Sequence, residues 1–167
     1  DSSSSTMNGV FAGKITGTGN LIKTGGGHLR LSNTTHDYTG TTQINSWGAL
    51  ITTANNVLPS STVVTLTYHG QLIIEGSSTL SIAGLISSSS NAKVKIKNRD
   101  ATLVVTNASD MTFAGVISGY GQLTKAGANS LTLSGANTYD GGTLINAGSL
   151  ILGAAGVLSD AGWVQLS

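Results

Sequence analysis

Short runs in which apolar and polar residues alternate recur along the chain. Examples are HLRLS from His28, QLIIEG from Gln71, TLSIAG from Thr79, KVKIKN from Lys93, TLVVT from Thr102 and SLTLS from Ser130. Alternation with period two is the pattern of a strand that buries one face. Gly, Asn, Asp or Ser closes almost every run, which is turn chemistry. No stretch sustains the 3.6-residue period of a helix. The pattern predicts an all-β chain of many short strands.

The same pattern is written twice. Phe11, Ala12, Gly13, Ile15, Gly17, Gly19, Leu21, Lys23, Gly25, Leu29, Leu31 and Ser32 recur 102 residues later, from Phe113 to Ser134. Tyr38, Gly40, Thr42, Ile44 and Asn45 recur at an offset of 101, and Gly48, Leu50, Ile51, Ala54, Val57, Leu58, Val64 and Leu66 at an offset of 100. The first copy therefore carries two single-residue insertions, one near 33–37 and one near 46–47. A strand pair with one apolar face cannot bury it alone, whereas stacked coils share a continuous core. Repeated glycines at bends supply backbone angles that other residues resist. A β-sandwich also has short strands and turns, but nothing in it calls for a near-copy of a five-strand block.

The second copy, FAGVISGYGQLTKAGANSLTLSGANTYDGGTLINAGSLILG from Phe113, resembles the passenger-associated transport repeat of bacterial autotransporters, the type V secretion family. The family pattern runs F-x-G-x-I-x-G-x-G-x-L-x-K-x-G, then L-x-L-S-G-x-N-T-Y-x-G-x-T, then I-x-x-G-x-L. The first copy departs from it at NTTHDYTGT and at NSWGAL. The resemblance implies a right-handed parallel β-helix (β-solenoid) on a secreted or surface-displayed passenger, with an outer-membrane β-barrel translocator as partner in the precursor. The expected layout is a flexible segment over 1–10 and a β-helix over 11–167. Within the helix, repeat copies at 11–66 and 113–167 flank linking coils at 67–112. The start DSSSSTM and the finish WVQLS suggest a piece of something longer.

Composition fits. Charged residues are 9% of the 167, against roughly 25% in ordinary soluble proteins. Ser and Thr number 22 each, so hydroxyls and amides solvate this surface. Stacked coils bring side chains into register about 4.8 Å apart, where like charges repel, so low charge is consistent with stacking. The net charge of +1 does not point to nucleic acid. There is no Cys, so neither a disulfide framework nor a thiolate site exists. No apolar run approaches the roughly 20 residues of a membrane-spanning helix.

Catalytic signals are weak. The carboxylates Asp1, Asp37, Glu75, Asp100, Asp110, Asp140 and Asp160 form no close pair in sequence. They read as solvated turn residues more readily than as a glycosidase or lyase dyad. His28, His36 and His69 lack the short spacing of a zinc site and read as surface residues. No Gly-x-Ser-x-Gly elbow, phosphate-binding loop or calcium nonapeptide occurs. No metal or cofactor is expected.

The strongest local feature is KVKIKNR, which sets Lys93, Lys95, Lys97 and Arg99 on one strand face with Val94 and Ile96 on the other. It reads either as a basic ladder for an anionic partner or as a solvated face whose lysines discourage sideways strand pairing. The inserted Trp47 is a candidate aromatic contact; the plain alternative folds it against its turn. Lys23 and Lys125 fall where strict alternation points inward. The expected arrangement instead ends the strand there, with the stem along the surface and the ammonium in water. Met7 and Met111 read as packing residues.

Together these readings give a noncatalytic, monomeric passenger that engages host cells as an adhesin or receptor ligand, a virulence factor whose partner is a cell-surface receptor or sulfated glycan. A purely structural stalk that promotes export and a polysaccharide-degrading enzyme are the alternatives.

Overall fold

The computed structural model describes residues 8–153, 158 and 162–167. Asp1, Met7, Ala154, Val157 and Asp160 lie outside the described residues. The alternating runs become strands, and every strand pairs in parallel with the strand one coil away. Three faces result. The first carries β1 (Gly9–Phe11), β3 (His28–Leu31), β5 (Ala49–Thr52), β7 (Gln71–Ile74), β10 (Lys93–Ile96), β13 (Val116–Gly119) and β16 (Thr138–Tyr139). The second carries β8 (Thr79–Ile82), β11 (Thr102–Val105), β14 (Gln122–Lys125), β17 (Thr143–Ile145) and β19 (Val164–Leu166). The third carries β2 (Leu21–Lys23), β4 (Thr42–Ile44), β6 (Val63–Leu66) and β9 (Gly84–Ile86). It continues through a Ser87–Phe113 bridge into β12 (Met111–Phe113), β15 (Ser130–Leu133) and β18 (Ser149–Leu152). The chain is a parallel β-helix, as the pattern and the resemblance predict.

Inward residues line up in columns along the axis. On the first face Leu29, Leu50, Leu72, Val94 and Ile117 are in register, at spacings of 21, 22, 22 and 23 residues. On the second face Leu80, Leu103 and Leu123 do the same. These residues merge into one buried core. Each fully buried aliphatic side chain contributes roughly 1.5–3 kcal/mol, and no coil could shelter its own without its neighbours.

The two repeat copies do not lie on the same faces. Copy one places β1, β3 and β5 on the first face, whereas their counterparts β12, β15 and β18 occupy the third. Likewise β2, β4 and β6 lie on the third face and β14, β17 and β19 on the second. The offset of 102 residues therefore equals four coils plus two of the three faces. The copies share their interior but look out in different directions.

The corner between the third and first faces has a fixed geometry. Gly25, Ser46 and Tyr68 each come two residues after the last inward residue of their strand, and their φ values are 73°, 71° and 52°. Only the first is glycine, so Ser46 and Tyr68 hold a left-handed conformation that costs other residues free energy. The residues that follow them, Trp47 and His69, are thereby turned to the outside.

Candidate functional site

β10 buries Val94 and Ile96 and exposes Lys93 and Lys95. Its neighbours in register are Gln71 and Ile73 on one side and Val116 and Ser118 on the other, none of them charged. Neither ammonium has an ion-pair partner among the described residues. The two residues are about 6.6 Å apart along the strand. The other half of the basic run is engaged. Lys97 donates to Glu75 Oε1 at 2.8 Å. Glu75 also takes Arg30, which reaches from β3 across the strand of Ile51. Hydrogen bonds from Lys97 and Arg30 hold the Glu75 carboxyl below its ordinary range. The Arg99 guanidinium lies 6.0 Å from the centre of the Tyr120 ring. The four sequence-nominated cations thus fall close together, but only Lys93 and Lys95 are unengaged.

Trp47 is 66% exposed, and its ring stacks on His69 from the next coil with centroids 3.5 Å apart and planes 11° from parallel. Tyr68, beside His69, is 72% exposed. The sequence singled out Trp47 but did not pair it with His69. That pairing becomes visible only when the 45–48 and 67–70 turns are aligned as stacked corners.

Two expectations are corrected. Lys125 does not lie along the surface; it is fully buried (0% exposed), and Lys23 is 9% exposed. Both continue the inward column, as alternation demands. The Lys125 ammonium donates to the carbonyls of Gly127 and Ala147. That of Lys23 donates to Thr24 O at 2.7 Å and Gly25 O at 3.0 Å. In both copies the lysine bonds carbonyls of the turn that follows it, Lys125 adding one from the next coil, and burial lowers its pKa. The second correction concerns His36, which is buried rather than a surface residue. Its Nδ1 accepts the Ile15 N–H at 2.9 Å, just as Asn137 Oδ1 accepts the Ile117 N–H at 2.9 Å. His36 thus stands in for the motif asparagine, and its divergent HDY sequence preserves the bond.

The remaining motif residues are also internal. Tyr38 and Tyr139 are buried and hydrogen-bond the hydroxyls of Thr42 and Thr143 at 2.5 and 2.6 Å. Burial pushes the Tyr139 phenol up to about 12. Between each pair a glycine permits close stacking: a Cβ on Gly40 would sit 2.3 Å from Gly19 O.

A cleft of about 390 Å³ opens between the 34–38 and 56–61 segments, lined among others by His36, Asp37, Tyr38, Leu58 and Pro59. The Lys14–Asp37 ion pair at 2.6 Å stands at its edge. Among the described residues, no three His, Asp or Glu side chains gather as a metal site requires. No described helix is long and apolar enough to cross a membrane.

Comparison with known proteins agrees with the internal geometry. The family model described as Passenger-associated-transport-repeat matches residues 21–46 and 123–152. These spans include the lysine, tyrosine and threonine positions just described. A relative, the Adhesin BmaC autotransporter of Brucella suis biovar 1 (strain 1330), is 35% identical over 147 residues. The match takes in 87% of this chain and 4% of the length of that protein. No solved structure matches. With transport repeats in both halves of a single parallel β-helix, this chain belongs to the autotransporter passengers and is secreted or displayed at the cell surface.

Proposed function

We propose that this passenger is a noncatalytic adhesin whose contact with host cells runs through the outward face of β10. Lys93 and Lys95 carry the contact, and Lys97 and Arg99 extend it. The observation behind this reading is the pair of exposed ammoniums with no carboxylate partner among the described residues. An anionic surface on the partner completes them, and such contacts raise association rates more than they raise affinity. The adhesin named among its relatives supports the same reading. During export the passenger's partner is an outer-membrane β-barrel translocator.

A purely structural stalk is the second reading. It draws on the fact that the motif residues shared by the two copies point inward, where they serve the fold alone. Binding of the labelled chain to cultured host cells separates the two. The adhesin reading expects saturable binding that weakens as salt rises through the range where exposed charges are screened. It also expects binding to fall when Lys93, Lys95, Lys97 and Arg99 are all replaced by Gln. Undiminished binding by that variant would refute the β10 assignment, and no binding by the parent leaves the stalk.

A further inference from the structure

The geometry points to an anionic polysaccharide as the partner, with one sugar ring stacked on Trp47 and its acidic groups on Lys93 and Lys95. This rests on the proposed anionic contact at β10 and adds the class of molecule that makes it.

Trp47 is a large apolar side chain left 66% exposed in a turn that does not need it. The equivalent corner of the second copy, Asn146–Ala147–Gly148, is one residue shorter and has no aromatic group. That corner closes with Gly148 at φ 70° and no strained residue. In the first copy the corner holds Ser46 at φ 71°, and the next coil repeats the strain at Tyr68. The result is a supported plate. His69 holds one face of the indole at 3.5 Å and 11°. The exposure of Trp47 leaves the other face to solvent.

The plate and the ammoniums belong to one surface. Ala49, Gln71 and Lys93 form a single register column on the first face. Trp47 and His69 precede the first two of these by two residues each. Lys93 therefore stands about 10 Å along the axis from the Trp47 coil, the span of two strand spacings. The surface between is open and uncharged, through Gln71. A flat aromatic plate suits the apolar C–H face of a pyranose, and cations spaced along the solenoid suit sulfate or carboxylate groups on following sugars. A peptide anchor would look for a pocket that desolvates it, which an exposed plate does not provide. Single-stranded nucleic acid would use a basic groove that tracks its backbone. Here two unpaired ammoniums and a net charge of +1 fall short of one.

Trp47 and Trp163 are the two tryptophans of the chain, so Trp163→Phe leaves Trp47 as sole reporter. The Trp163→Phe chain is titrated with heparin, with polyglutamate and with oligothymidylate, following tryptophan emission, and affinities are measured separately by calorimetry. Heparin alone should shift the emission. Trp47→Ala should weaken heparin binding about five-fold, the scale of one aromatic stacking contact, and Trp47→Phe should recover part of the loss. Polyglutamate binding should not respond to either change. Replacing Lys93 and Lys95 with Gln should weaken both polyanions. Heparin binding that depends on the lysines but ignores Trp47 would overturn this inference and leave the anionic contact standing. Binding that ignores the lysines would overturn both. An equal emission response to polyglutamate or oligothymidylate would also overturn the choice of a saccharide.

Discussion

Replacing Lys125 by Met tests the role given to the buried lysine. The side chain is fully enclosed, and its ammonium donates to Gly127 O and, at 3.2 Å, to Ala147 O. Methionine fills a similar volume with no donor. Two carbonyls then lose a charged donor, at about 1–3 kcal/mol for each buried acceptor left unmatched. Relief from holding a desolvated charge offsets part of that. A net loss of about 2 kcal/mol follows. In a urea titration with a slope of about 2 kcal/mol/M, the midpoint should fall by about 1 M. Lys23→Met is the internal comparison, because its acceptors, Thr24 and Gly25, are exposed and water can replace the lost donor. Its cost should stay below about 1 kcal/mol. Stacked coils can unfold in stages, so amide exchange at 126–130 should accelerate in the Lys125 variant ahead of the rest. Equal midpoint shifts for the two variants, or no shift for Lys125→Met, would refute the argument.

Two further outcomes follow from the interior. Tyr139→Phe removes the partner of the buried Thr143 hydroxyl and should cost about 1 kcal/mol by thermal or urea unfolding. The folded phenol resists ionisation up to about 12 against 10.0 when free, so the wild-type chain should lose stability between pH 10 and 12 and the variant should lose less. His36 has its pKa lowered by burial, only partly opposed by Asp37, which Lys14 in turn engages. Its Nδ1 must stay unprotonated to accept from Ile15. The unfolded chain takes up that proton below about 6.5 while the folded chain does not, so stability should fall as pH drops below that value. His36→Asn, which copies Asn137, should flatten the dependence between pH 7.5 and 5; an unchanged slope in urea midpoints would remove His36 from its cause.

The strands and their stacking were legible because alternation and repetition are one-dimensional signals. The apolar columns through Leu29, Leu50 and Leu72 can be read from the sequence once the coil length is known. Lys125 was legible in its direction but not in its environment. Alternation pointed it inward, yet the carbonyls that receive it come from two turns 20 residues apart, Gly127 and Ala147, which only stacking brings together. His36 carries a usable signal in the sequence. Extending the 101-residue offset back by two positions from Tyr38 sets His36 on Asn137, and both side chains can accept a hydrogen bond. Lys97 seemed equivalent to Lys93 and Lys95 because Glu75, 22 residues earlier, becomes its neighbour only across a coil boundary. The rotation of one copy against the other required knowing where each coil closes.

That rotation bears on where function can reside. If the repeat were a binding unit, its two copies would need equivalent outward surfaces, but they look out from different faces. What the copies share instead is internal: a lysine bonded to turn carbonyls, a tyrosine bonded to threonine, an asparagine or its histidine substitute accepting a strand amide. Each satisfies a polar group inside the stack, where an unmet one is costly. A repeat constrained from within leaves its exterior free to vary. The candidate contacts lie in that free part. Lys93, Lys95 and His69 belong to the linking coils, and Trp47 belongs to an insertion the second copy lacks. If the outward face of β10 is the adhesive surface, exchanging the inward residues of one copy for those of the other should alter stability and leave binding intact. The reverse result, with binding lost while the fold holds, would return function to the repeats.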